Sequence, residues 1–131
     1  MLFANEEEAL VLVSAQDARE ALEALSRDFG EVVITRGPLG AMASHGAARA
    51  EARSQSDEVV DTTGAGDVFH GAFAGSLAIG KKWEEMLLYS SAAAALCCSR
   101  FGARTGIPEG AEVDRFLGDF RCPTAQSYHR L

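Results

Sequence analysis

The period of the apolar positions changes repeatedly along the 131 residues, and each change marks an element. Met1-Leu-Phe-Ala reads as the end of a strand whose beginning is missing. Glu6 to Val13 follows as a helix, with its acids in the first turn, where the helix dipole favours them. A second helix is expected from Ala15 to Phe29. Its apolar residues Ala18, Ala21, Leu22, Leu25 and Phe29 recur at three-and-four spacing, and Gly30 stops it. The β-branched run Glu31-Val-Val-Ile-Thr-Arg36, closed by Gly37-Pro38, has the character of a buried parallel strand. Ala41 to His45 and Ala48 to Arg53 flank Gly46 as a hairpin. In its second arm Ala48, Ala50 and Ala52 alternate with Arg49, Glu51 and Arg53, the period-two pattern of a strand with one wet face.

Glu58 to Asp61 reads as a further short strand leading into Gly64-Ala-Gly66. From Gly66 to Ile79 the pattern is helical and apolar nearly all round. Val68, Ala72, Gly75 and Ile79 make one stripe and Phe69, Phe73 and Leu77 another, so this helix is expected to be buried on most sides. Trp83 to Phe101 and Glu112 to Leu117 complete the helices. Residues 1–120 then form one domain, and the aperiodic tail 121–131 is expected to fray. Strand and helix patterns alternate, which indicates an α/β layer architecture.

Composition narrows the functional classes. A hydrophobic content of 47% is too high for a disordered chain, and no apolar run is long enough to span a bilayer. The N-terminus lacks the basic flank and apolar core of a signal peptide, so the reading is of a soluble cytoplasmic protein. A net charge of −7 argues against nucleic acid and anionic membranes as partners. It leaves a phosphorylated ligand open, because a local loop can bind phosphate through backbone N–H groups. Cys97, Cys98 and Cys122 suit neither a disulfide framework nor a zinc site. In the run Ala92-Ala-Ala-Ala-Leu-Cys-Cys the first two are expected to be small buried side chains.

The segment Asp61-Thr-Thr-Gly-Ala-Gly-Asp67 carries the candidate chemistry. Its glycines let the backbone approach a ligand closely, and the helix that follows points free N–H groups at the loop. Asp67, beside that anion site, is a candidate general base able to take a proton from an attacking hydroxyl. No Gly-Lys-Ser/Thr follows, so this is not a Walker A loop. Phe69 stands where a dinucleotide fingerprint needs its third glycine. From these residues alone a second reading stands beside the first, an N-capping Asp on a glycine-rich turn with no ligand.

The longer run Asp61-Thr-Thr-Gly-Ala-Gly-Asp-Val-Phe-His-Gly-Ala-Phe resembles the second signature of the ribokinase-like, or PfkB, family of carbohydrate kinases. Other landmarks follow that family's order. Asn5-Glu-Glu-Glu8 resembles its Asn-x-x-Glu element, Val32 to Gly37 with Gly40 its strand and turn beside the nucleotide, and Ser91 to Pro108 its closing helix and loop. The resemblance implies the C-terminal part of a three-layer α/β/α fold, partial and Rossmann-like, with a mostly parallel sheet and an inserted hairpin. It implies transfer of the γ-phosphoryl of Mg·ATP to a primary hydroxyl of a sugar or related molecule. Asp67 would be the base, Gly64, Ala65 and Gly66 the anion hole, and Thr35, Gly37 and Ser91 the nucleotide's neighbours. Asn5 and Glu8 would act on magnesium through water. Asp61 and Thr63, with carbonyls near Gly102 to Gly106, match a monovalent-cation (K+) site of many members.

Two departures matter. Ser91 stands where ribokinases often carry Asn, and His70 occupies another position often taken by Asn. His70 is read as satisfied within a packed helix, with reach into the site as the alternative; His45 and His129 carry no case. Glu6 to Glu8 also suits a plain first helical turn. The larger departure is the family's N-terminal half, with its further strands, β lid and most sugar contacts, for which the chain has no counterpart. A sheet cut there would expose an apolar edge, to be covered by self-association or by the other half. Three readings follow: a fragment, a naturally short protein that assembles, and an inactive remnant. A non-catalytic nucleotide-binding module is the competing class.

Overall fold

The computed structural model describes residues 1–55, 59–120 and 128–130. Strand β1 (Leu2–Asn5) passes directly into helix α1 (Glu6–Val13), followed by α2 (Ala18–Asp28) and β2 (Glu31–Thr35). A short 3-10 turn at Gly37–Leu39 leads to the hairpin β3 (Ala41–His45) and β4 (Ala48–Ala52). Helices α3 (Ala65–Ala78), α4 (Trp83–Cys98) and α5 (Gly110–Phe120) come next, and β5 (Tyr128–Arg130) closes the sheet. The helix starts have local causes. Asn5 Oδ1 accepts the Glu8 N–H at 2.8 Å while Glu8 returns a carboxylate oxygen to the Asn5 N–H, a capping box. Asp17 caps α2 by accepting the Glu20 N–H, which is why that helix begins at Ala18 rather than at Ala15.

The sheet order is β1-β2-β3-β4-β5. Among the described residues only β1 and β2 are parallel; every other pairing is antiparallel. This corrects the expectation of a mostly parallel sheet with an inserted hairpin. The helical crossover α1–α2 allows a parallel return, whereas the short links between β2, β3 and β4 allow only reversal. Antiparallel pairing, from β2 through β5, is therefore the greater part of the sheet. A further expectation changes. Glu58 lies outside the described residues, and Val59 to Asp61 form no strand. The N–H groups of Val60 and Asp61 instead both donate to the Cys98 carbonyl, at 2.8 and 3.1 Å. Within the tail, residues 128–130 pair with β4, while 121–127, including Cys122, lie outside the described residues.

Side chains of β2 alternate between two cores. Val32 and Ile34 pack with Leu22, Leu25 and Met42 beneath α1 and α2. Val33 packs on the opposite face with Ala43, Phe69, Phe73 and Leu87 beneath α3 and α4. The sheet is thus sandwiched between helical layers, in agreement with the α/β/α expectation. A third cluster, Ala92, Ala93, Val113 and Leu117, fastens α5 to α4. Cys97 is buried and Cys98 half-buried, in line with their reading as small core residues. Burial pushes both thiols up, which leaves them poor nucleophiles.

Helix α3 departs most from expectation. Phe69, Phe73 and Ser76 are buried, yet Gly71, Ala74, Gly75 and Ala78 are exposed, and Ile79 just beyond is 73% exposed. A Cβ added at Gly71 or Gly75 would meet nothing within 4 Å. One face of the helix is bare because no described element of this chain lies against it. His70 is exposed at the edge of that face, its ring edge-on to Phe3 of β1 at 4.8 Å, so it is not enclosed in a packed helix.

Candidate active site

Helix α3 begins differently from its neighbours. Asn5 and Asp17 cap α1 and α2, Glu85 reaches back to the Lys82 N–H ahead of α4, and Glu112 to the Glu109 N–H ahead of α5. At α3 the capping position is Gly64, with φ 80° and no side chain to offer. The Ala65 N–H turns back to the Thr62 carbonyl at 3.2 Å. The N–H groups of Gly66 and Asp67 meet no acceptor among the described residues. A helix start with unmet donors is able to accept negative charge. The alternative of an Asp capping this helix is overturned: Asp67 lies within the first turn and Asp61 bonds elsewhere.

Asp61 fixes the loop. Its carboxylate accepts the Thr63 N–H at 2.9 Å and the Gly102 N–H at 3.0 Å, joining the approach to α3 with the turn after α4. The Thr63 hydroxyl, then the N–H groups of Thr63 and Gly102, hold its carboxyl below the ordinary aspartate range. The turn packs so closely that a Cβ on Gly64 would come within 3.0 Å of the Ala103 Cβ. Glycine is therefore required at position 64 for both its dihedrals and its contacts.

Two cavities flank the start of α3. The first, of about 320 Å³, is lined by Asn5, Thr35, Gly37, Ala65, Gly66 and Ser91, with Phe69 and Cys98 also on its wall. Asn5 and Thr35 are register partners at the ends of β1 and β2, which brings them to the same sheet edge. Gly40, also on the wall, has φ +91°, and a Cβ there would lie 2.0 Å from the Ala52 carbonyl oxygen. The Ser91 hydroxyl is buried and has no hydrogen-bond partner among the described residues, at 5% residue exposure. A buried hydroxyl left without a partner costs stability. The second cavity, of about 450 Å³, lies across the helix start and is lined by Gly64, Asp67, Tyr89, Arg104 and Ile107, among others.

The residues singled out from the sequence thus divide three ways. Asn5, Thr35, Gly37, Ala65, Gly66 and Ser91 share the first cavity, and Gly64 and Asp67 border the second. Glu8, Asp61 and Thr63 line neither. Glu8 is engaged in the capping box, and Asp61 straps two loops together. No cluster of three or more His, Cys, Asp or Glu suited to a metal occurs among the described residues. Nor is any described helix long and apolar enough to cross a membrane. Sequence reasoning missed Cys98, whose carbonyl anchors the loop, and Arg104, which looks like any solvated charge in a turn.

Comparison with known proteins agrees with this geometry. The profile of the pfkB family carbohydrate kinases matches residues 1–110. The ribokinase of Bacillus subtilis strain 168 is 40% identical over 113 residues, which are 86% of this chain and 38% of that protein. The Thermotoga maritima ribokinase structure superposes with a TM-score of 0.81 at 34% identity, covering 88% of this chain and 41% of that one. The Arabidopsis thaliana ribokinase complexed with ribose and ATP gives 0.81 at 30% identity, covering 88% and 40%. The chain spans about two fifths of the length of these relatives. With its uncapped glycine loop, its Asp67 and a profile match from residue 1 to 110, this chain belongs to the pfkB family of carbohydrate kinases.

Proposed function

We propose that the chain is the C-terminal, nucleotide-binding and catalytic portion of a kinase that transfers the γ-phosphoryl of ATP to a primary hydroxyl of a sugar or related molecule. The observation that carries this reading is the uncapped start of α3, opening on a cavity walled by an orphan, buried Ser91 hydroxyl. In this reading the base of ATP lies against Ser91 and the small helix residues beside it, near Thr35 and Gly37. Its phosphates run to the helix start at Gly64, Ala65 and Gly66, where the Gly66 N–H is unmet among the described residues, and Asp67 takes the proton from the acceptor hydroxyl. Glycine and small side chains on the cavity walls support this reading, because they permit close approach of a ligand.

Magnesium would be held through water by Asn5 and Glu8. Both are oxygen donors, as that hard cation prefers, and each keeps lone pairs beyond the capping box. Bound there, the ion would neutralise charge on the phosphates. The proposed K+ site at Asp61 and Thr63 rests on resemblance alone, because the Asp61 carboxylate already serves to strap the loops.

One observation favours a second reading. The bare face of α3, in a chain spanning two fifths of its relatives, suits a non-catalytic nucleotide-binding or assembly module. Purified chain assayed with Mg·ATP against ketoses and pentoses separates the two. Turnover abolished by Asp67→Asn supports the kinase; ATP binding without turnover on any acceptor supports the module. Absence of nucleotide binding would remove both.

A further inference from the structure

Phosphoryl-transfer chemistry brings several negative charges to one place, and this chain, with 19 acidic residues against 12 lysines and arginines, is a poor host for them. Backbone N–H groups at a helix start supply only about half a positive charge. Among the described residues lining the two cavities that flank α3, Arg104 is the sole basic one. It borders the same cavity as Asp67 without pairing to it, and among the described residues no carboxylate lies within ion-pair distance of it. Arg36 is committed to Glu51 at 3.1 Å, Arg49 to Glu23 at 2.8 Å and Arg100 to Glu112 at 2.8 Å, while Arg19, Arg27, Arg53 and Arg115 line neither cavity.

The backbone that carries Arg104 is fixed. The Gly102 N–H is held by Asp61 at 3.0 Å, and the Gly106 N–H closes the turn onto the Gly102 carbonyl at 2.8 Å. Ala103 abuts Gly64. The residue after Ala103 is thereby held beside the start of α3.

We propose that Arg104 and this cavity form an anion-binding subsite on the Asp67 side of the helix start, taking a phosphoryl or carboxylate group of a small-molecule ligand. The proposal rests on the phosphoryl-transfer reading of α3 and deepens it. A guanidinium is suited to the task, being always charged and able to bond two oxygens at once. The anion has two possible sources, the terminal phosphate of the donor and an acidic substituent on the acceptor.

Calorimetric titration of the purified chain decides the matter, comparing the natural protein with Arg104→Gln and Arg104→Lys. The probes are pyrophosphate, Mg·ADP, Mg·ATP, fructose and fructose 6-phosphate. Arg104→Gln is expected to weaken pyrophosphate roughly tenfold or more, the scale of a lost hydrogen bond to a charged group, with Arg104→Lys between. Collapse of the ATP-over-ADP preference in Arg104→Gln assigns the anion to the donor. Collapse of the fructose 6-phosphate preference over fructose assigns it to the acceptor. Equal affinity of Arg104→Gln and the natural chain for pyrophosphate, at an unchanged melting temperature, overturns the subsite. If Mg·ATP fails to bind while Arg104-dependent pyrophosphate binding persists, the subsite stands and the nucleotide reading falls. If no anion binds, both fall.

Discussion

Helices α3 and α4 lie side by side, and both are apolar nearly all round, yet eight residues of α4 are buried against three of α3. The difference is in what surrounds them. Helix α4 has the sheet on one side, α3 on another and α5 on a third. Helix α3 has the sheet and α4 but leaves Gly71, Ala74, Gly75 and Ala78 uncovered. An apolar pattern therefore states which neighbours a helix is built for, and the fold decides which of them are present. The two-fifths coverage of its relatives is consistent with a face designed for elements that this chain does not supply.

Substitutions on the two faces of α3 sharpen that comparison. Phe73 is fully buried and touches both Phe3 and Trp83 edge-on. Phe73→Ala should lower unfolding free energy by about 3–5 kcal/mol, measured by denaturant titration, since the cavity it leaves lies within the main core. Gly75→Ala, two residues along, should do the reverse. Its new methyl meets nothing, and replacing an interior helical glycine should add up to about 1 kcal/mol. Destabilisation by Gly75→Ala would show that the bare face is occupied in solution, by a second copy for instance.

The smallest effect concerns the loop that leads into α3. Asp61 has its carboxyl held below the ordinary value, through the Thr63 hydroxyl and the N–H groups of Thr63 and Gly102. A depressed acid contributes stability above its unfolded pKa and loses it as pH falls through the folded value. Glu23, bonded to Arg49, and Glu112, bonded to Arg100, act in the same sense. The melting temperature should therefore fall as the solution is acidified below about pH 4, the ordinary carboxylate range. Asp61→Asn should flatten part of that slope, and an unchanged slope would remove Asp61 as a contributor.

Much of this architecture could be read from the residues. The β-branched run Val32-Val-Ile34 and the alternation through Ala48 to Arg53 gave strands close to those observed, because side-chain period reports directly on backbone form. Strand direction was less legible. Alternating strands and helices suggested a parallel sheet, but connection lengths after β2 dictate reversal. Val59 to Asp61 look like a strand by composition and are drawn instead to the Cys98 carbonyl, a tertiary contact with no local signature. The glycines and Asp67 of the site were plain in sequence. The orphan hydroxyl of Ser91, the strap made by Asp61 and the place of Arg104 depend on contacts across the fold.

The central claim, that the uncapped start of α3 receives the phosphates of a nucleotide, is tested most directly by titrating Mg·ATP into isotope-labelled chain and following its amide resonances. The account predicts the largest shifts at Gly64, Ala65, Gly66 and Asp67, with a second group at Thr35, Gly37 and Ser91. Shifts confined to other surfaces, such as α2, or none at saturating nucleotide, would contradict it.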